Sequence, residues 1–340
     1  MNAKLRLGFA GLVHDHVWDL APQWRDQGVD FVAAADPNVL LLDRIRAEFD
    51  VARTYESCQA MLESEELADL QISTTNAAHA DVVEMAAEAG VHCVIEKPMA
   101  ATLGQADRMV KAAKAAGVKI MVNWPINWQP VYREMRVLAA SGAIGRILQV
   151  KHRGGHSGPR KIGVSDYFAD WLYSANLNGA GAFMDYSGYG VSIVLDYLKG
   201  PTAVYAHSAN LAQDFHCVDD NSVMILKFER EIALVESTWT EQLRVPWNTV
   251  VNGEEGTLLA DYRSHELVVL SHAHPEGNSI KCEPMPEGHG NAPEYFVRCL
   301  LSDSPIDDHS GINRGRSIQE ILQAGLISIA ENREVALPLS

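Results

Sequence analysis

Over the first 123 residues, short apolar runs alternate with segments of helical pattern, and this alternation restricts the fold more than any other feature. Residues 5–10, 30–36, 67–74, 91–96 and 118–123 read as strands. Residues 80–89, halted by Gly90, read as a helix. Another helix follows the capping-box pattern Thr102-Leu-Gly-Gln105, carries the apolar stripe Leu103, Ala106, Val110 and Ala113, and stops at Gly117. Consecutive parallel strands need such a crossover to return the chain. The pattern therefore predicts an α/β fold that opens with a doubly wound parallel sheet, the Rossmann arrangement, over residues 1–123.

Past Trp124 the pattern changes. One helix is expected over 131–140 and a strand over 147–153. From Ala203 onward, strands at 203–210, 222–228, 232–239, 249–252, 257–261 and 266–270 are joined by short polar turns such as Glu229-Arg-Glu231. Strands in such series predict a large, mostly antiparallel sheet. Residues 124–340 are accordingly expected to form an α+β domain for substrate binding and oligomerisation.

Charge narrows the partners. With 44 acidic against 28 basic side chains the formal net charge is −16, which leaves no positive field to gather nucleic-acid phosphates or an anionic membrane. No apolar run approaches the roughly 18 residues of a membrane span. Cys58, Cys93, Cys217, Cys282 and Cys299 are odd in number and show no C-x-x-C pair, so reduced thiols are expected rather than a disulfide framework or zinc site. The first strand begins near Leu5, leaving no room for a cleaved signal peptide; a cytoplasmic location is expected.

Ligands of an open α/β sheet sit at the carboxyl ends of its strands, which gives Lys97 its interest. The run Val-His-Cys-Val-Ile leads straight into Glu96, Lys97 and Pro98, aiming an ammonium at the crevice. Such a group can hydrogen-bond a substrate hydroxyl, and partial burial tunes it for proton transfer. Pro98 biases Lys97 towards an extended backbone. The alternative is an ordinary strand-end lysine before a turn.

Gly11 takes the first place of a G-x-G-x-x-G phosphate turn, but Val13 and His16 occupy the second and third. His14 and His16 either face a cofactor or substrate or are polar residues of a first helical turn. Pro22 implies that this helix starts late or kinks. Asp36 lies 25 positions after Gly11, near the roughly 20 expected of the acid that grips the adenosine ribose. A carboxylate there repels a 2′-phosphate and favours NAD over NADP; the alternative is a turn or cap acid before Pro37-Asn38. Thr74, Thr75 and Asn76 end a strand with groups suited to ribose or phosphate. The cofactor-binding candidates are Gly8, Gly11, Leu12, Val13, His14, Asp36, Thr74, Thr75, Asn76, His79, Glu96, Lys97 and Asn123.

In the second half, a helix over 184–198 would put Asp185 and Tyr189 on one face, after Gly179 and Gly181. A carboxylate and a phenol so placed can orient and protonate a carbonyl oxygen; the alternative is a dipole-favoured acid and a packed tyrosine. His156 and Trp171 are further candidates for substrate contact, with a bare loop histidine and a packed indole as the alternatives. His272 and His274 lack a third ligand, so a solvated loop and no metal are expected.

These motifs, in this order, resemble the Gfo/Idh/MocA oxidoreductases: residues 8–11 as nucleotide turn, Glu96-Lys97-Pro98 as hallmark tripeptide, Gly142-Ala-Ile-Gly145-Arg-Ile as linker, 179–185 opening the substrate helix, and Val335-Ala-Leu-Pro338-Leu as closing segment. The resemblance implies an NAD(P)-dependent dehydrogenase acting on a secondary alcohol of a sugar, cyclitol or polyol. It implies that Lys97 touches both substrate hydroxyl and nicotinamide, and that Asp185 binds substrate. Tyr189 stands where many members place an acid-base histidine. A phenol ionises near pH ~10 in water, so Lys97 would carry most of the proton transfer. Two further readings are a dinucleotide-binding sensor without turnover and a hydrolase or lyase that uses NAD transiently. An open sheet face needs covering, so a homo-dimer or homo-tetramer through the second domain is expected.

Overall fold

The computed structural model describes residues 4–339 apart from 213–217, 244 and 262, so Cys217 lies outside the described residues. The first sheet comprises β1 (Arg6–Ala10), β2 (Asp30–Ala35), β3 (Arg53–Tyr55), β4 (Asp69–Ile72), β5 (His92–Glu96) and β6 (Ile120–Asn123). They lie in the order β3-β2-β1-β4-β5-β6, every pair parallel. The chain winds outward from β1 through β2 to β3, then crosses back to β4. The crevice at the carboxyl ends of β1 and β4 is thus the switch point where ligands bind such sheets.

Leu7, Phe9, Leu70, Val94 and Ile95 are fully buried, as expected of strands covered on both faces. The capping box forms: Thr102 Oγ1 accepts from Gln105 N at 3.3 Å, and Thr102 N donates to Gln105 Oε1 at 3.1 Å. The first helix begins only at His16 and holds Pro22 within its run to Asp26.

The second sheet contains β7 (Ile147–Gly155), β8 (Ala203–Ala209), β9 (Asn221–Lys227), β10 (Ile232–Thr238), β11 (Thr249–Gly253), β12 (Gly256–Asp261), β13 (Glu266–Ser271), β14 (His274–Ile280) and β15 (Val335–Ala336). Their order is β14-β13-β12-β11-β7-β10-β9-β8-β15. All neighbours are antiparallel except β7 and β10. Helix Ala182–Tyr197 packs on β7 and β10. It comes close because of Gly190, where a Cβ would lie 2.4 Å from Val235 Cγ1. His274 corrects one expectation: it opens the edge strand β14 rather than sitting in a loop, although both it and His272 are exposed. The strand was hidden because its Pro275 and Gly277 read as turn residues.

Contacts group the chain into two compact units, residues 1–124 with 164–179 and 288–319, and residues 125–163 with 180–287 and 320–340. Among the described residues no helix is long and apolar enough to cross a membrane.

Candidate active site

In the first unit the turn after β1 is shaped by Gly11. Its φ is +78°, and a Cβ there would lie 2.3 Å from Thr74 Cγ2 and 2.9 Å from Thr74 Cα. Only glycine lets this turn sit against the end of β4. His14 N then donates to Ser73 O at 3.1 Å, tying turn to strand end again. At Gly8, inside β1, a Cβ would lie 2.7 Å from the side chains of Leu67 and Leu70.

Asp36 is 2% exposed and braces the same turn from β2: its Oδ2 accepts from Leu12 N and its Oδ1 from Asn38 N, each at 2.7 Å. It is not the helix cap, since Asn38 fills that place by accepting from Leu40 N. Burial pushes the Asp36 carboxyl up, against the pull of the two N–H donors.

Glu96 is fully buried. Its Oε1 accepts from Asn123 Nδ2 at 2.8 Å, and its Oε2 lies 2.8 Å from His16 Nδ1. Burial alone would raise this carboxyl, but His16 and Asn123 outweigh it and hold it below the ordinary range. Lys97 follows directly, 4% exposed, at the carboxyl end of β5. His14 is held well below its ordinary pKa by burial and then by His16, Lys97 and His79. Its neutral ring packs 4.3 Å from Phe168 and 5.7 Å from Trp171. Trp171 donates from Nε1 to Val13 O at 3.3 Å; its indole therefore supports the nucleotide turn.

Asn76 Nδ2 donates to Asn178 Oδ1 at 2.7 Å, and Thr75 precedes it at the head of a short 3-10 turn. His79 Nδ1 lies 3.1 Å from Met99 O, and burial lowers its pKa. His14, His16 and Glu96 offer ligand atoms within 4.8 Å of one another, a set that could hold a cation, although hydride chemistry requires none.

The second unit carries Asp185 and Tyr189 on helix Ala182–Tyr197. Asp185 is 6% exposed, and its Oδ2 accepts from Trp239 Nε1 at 3.0 Å. The helix start is fixed by Asp219, whose Oδ1 accepts from Gly181 N at 2.8 Å and Oδ2 from Phe183 N at 2.7 Å. This capping carboxylate comes from 38 and 36 residues away, so no local pattern marked it. Gly181 is required here, because a Cβ would lie 1.9 Å from Asp219 O.

His156 Nδ1 accepts from Gly158 N at 2.9 Å, and its ring lies parallel to that of Trp239 at 6.5 Å. Tyr189, half-buried, lines a cavity of ≈ 110 Å³ with Pro125, Ile126, Gln129, Tyr132, His152, Gly154 and Tyr186. No sequence motif singled out His152. Its signal was the period-2 alternation of β7, which turns Val150, His152 and Gly154 to one face.

Two family profiles match successive parts of the chain. Residues 7–124 match the family profile described as "Oxidoreductase family, NAD-binding Rossmann fold", and residues 132–259 that described as "GFO/IDH/MocA C-terminal domain". A D-apiose dehydrogenase of Paraburkholderia graminis is 37% identical over 145 residues, which are 42% of this chain and only 37% of that protein. A D-xylose 1-dehydrogenase [NADP(+)] of Haloarcula marismortui is 28% identical over 286 residues, 80% of this chain and 76% of that one. Among solved structures, the aldose-aldose oxidoreductase of Caulobacter crescentus complexed with glycerol superimposes with a TM-score of 0.84 at 22% identity, covering 98% of this chain and 100% of that one. A levoglucosan dehydrogenase in complex with NADH and L-sorbose gives a TM-score of 0.84 at 19% identity, with 98% and 99% covered.

Proposed function

The chain belongs to the Gfo/Idh/MocA oxidoreductase family, and from that premise we propose that it is a dehydrogenase passing hydride between a nicotinamide dinucleotide and a secondary alcohol of a sugar, cyclitol or related polyol. The observation that carries this is Lys97, buried at the carboxyl end of β5 beside a Glu96 that Asn123 and His16 hold in place. The dinucleotide fits the first unit: Gly11 clears the backbone at the switch point, and each Asp36 oxygen keeps a lone pair beyond its backbone bond for a ribose hydroxyl. A buried carboxylate there disfavours a 2′-phosphate, so NAD is the preferred form.

When bound, the nicotinamide supplies the hydride acceptor. The protein supplies the rest. Lys97, acting as the neutral amine, hydrogen-bonds the reacting hydroxyl and takes its proton. Asp185, oriented by the Trp239 indole, accepts a hydrogen bond from a substrate hydroxyl, and Tyr189 holds a second oxygen. The relatives named as apiose and xylose dehydrogenases support a sugar as the substrate class.

The direct test is a panel of sugars and inositols with NAD and NADP, followed by absorbance of the reduced nicotinamide. Steady accumulation is expected, at least ~tenfold faster with NAD at equal concentrations. Dinucleotide binding without any turnover would replace this reading by that of a sensor. A burst of one equivalent per site, with product still accumulating, would replace it by a hydrolase or lyase using NAD transiently.

The proposal includes a homo-dimer or homo-tetramer through the second sheet. Tyr205, Ile225, Val223 and Ile232 on β8, β9 and β10 are 36–44% exposed, and Tyr205 pairs directly with Ile225. Apolar side chains grouped on a sheet face invite a partner surface. Light scattering at micromolar concentration should give at least twice the 37.3 kDa chain mass; a monomer would defeat this part.

A further inference from the structure

Among the residues lining the ≈ 110 Å³ cavity in the second unit is His152, which no motif marked. Its imidazole is 3% exposed and is held along one edge. Nδ1 lies 2.9 Å from Thr249 Oγ1, which is 3.2 Å from the Tyr132 hydroxyl, which in turn accepts from Asn248 Nδ2 at 3.1 Å. Such a chain fixes the ring's rotation and leaves its opposite edge to face helix Ala182–Tyr197.

On that side Gly154 lines the cavity, and Gly190 lets the helix come close to the ring. A Cβ on Gly154 would lie 3.4 Å from His152 Nε2 and 2.7 Å from Tyr186 Cδ1, and one on Gly190 would lie 3.2 Å from His152 Cδ2. A side chain at 154 would fill the room beside Nε2 that the cavity now offers. The space is large enough for several water-sized groups.

The walls also carry a charge statement. Burial pushes His152 down to about 3, so its imidazole is neutral throughout the physiological range. The remaining lining is amide, phenol, proline, glycine and isoleucine. A carboxylate or phosphate entering here would lose its hydration and meet no counter-charge among the described lining residues. A hydroxyl would exchange bonds to water for bonds to an imidazole nitrogen and a phenol.

We propose that this cavity is a subsite for an uncharged, hydroxyl-bearing part of the substrate, with His152 as its specificity-determining contact, so that the protein selects neutral sugars or polyols over sugar acids and sugar phosphates. The inference rests on the dehydrogenase assignment for its ligand class, but binding alone reads it out.

The test is isothermal titration of the full chain, with and without NADH. The ligands are neutral aldoses, pentitols and inositols, each paired with its carboxylate or phosphate: D-glucose with D-gluconate and D-glucose 6-phosphate, D-xylose with D-xylonate. The tightest neutral ligand should bind at least ~tenfold more tightly than its charged partners. His152→Phe should lower that ratio about tenfold, the loss of one good hydrogen bond, and His152→Gln should restore most of it. Thr249→Val, of nearly equal volume, should lower the ratio about threefold by releasing the ring, and serves where His152→Phe does not fold. Failure of every neutral ligand to bind, equal or tighter binding of the charged partners, or an unchanged ratio in a folded His152→Phe or Thr249→Val protein would overturn the proposal. Selective binding of neutral ligands with no NAD reduction would uphold the subsite while removing the dehydrogenase assignment.

Discussion

Replacing Lys97 by methionine should lower kcat by about 10²- to 10⁴-fold, the range expected when a positioned proton-transfer group is removed. Methionine nearly matches lysine in length and is at home where the side chain is 4% exposed, so the folded structure and its thermal midpoint should change little. The loss should appear mainly in kcat, because proton removal from the hydroxyl is needed in the transition state more than in the bound ground state. Primary amines added to a Lys97→Ala protein, whose shorter side chain leaves room for them, should restore part of the rate. A variant oxidising its alcohol at an undiminished rate would remove Lys97 from the chemistry and, with it, the proposed mechanism.

The second large effect is expected far from that chemistry, at Asp69. This residue opens β4, at the end of the strand opposite the switch point, and both of its carboxylate oxygens are buried with no hydrogen-bond partner among the described residues. Burial pushes its pKa from the ordinary 3.8 to about 8. The folded protein therefore holds Asp69 protonated where the unfolded chain would ionise it. A raised carboxyl pKa means that stability is fully present below about pH 4 and is lost progressively as pH rises towards 8.

Each pH unit between those two values is worth ~1.4 kcal/mol, so the pH-dependent stability amounts to several kcal/mol. In Asp69→Asn that dependence should vanish. The thermal midpoint of the wild type should fall relative to the variant by roughly 5 °C or more between pH 5 and pH 8. Reading the difference in slope, rather than the absolute midpoint, separates ionisation from any packing change caused by the amide. Parallel midpoint-against-pH curves would refute the buried, protonated Asp69.

Several features of the site are legible in the order of residues, and each is local. The alternation of apolar runs and helical stripes marks five strands of the first sheet, and Lys97 falls at a strand end because an apolar run leads directly into Glu96. The Thr102 capping box and the helix carrying Asp185 and Tyr189 also form close to where their patterns indicate. The short edge strands β3, β14 and β15 are not legible. β3 and β15 span 3 and 2 residues, too few to show a period, and β14 is broken by proline and glycine.

What the residue order determined by itself was therefore secondary structure, strand-end placement and family, because hydrophobic period and capping act over only a few residues. Only the folded chain decided which groups those ends would meet. Asp36 braces Leu12 from 24 residues away, Asp219 caps the Asp185 helix from 38, and Thr249 orients His152 from 97. Asn76 meets Asn178 across 102 residues, because 164–179 returns to the first unit. Such pairings depend on closing long loops and on the space that Gly11, Gly154 and Gly190 leave, and neither quantity is written in the pattern of adjacent side chains.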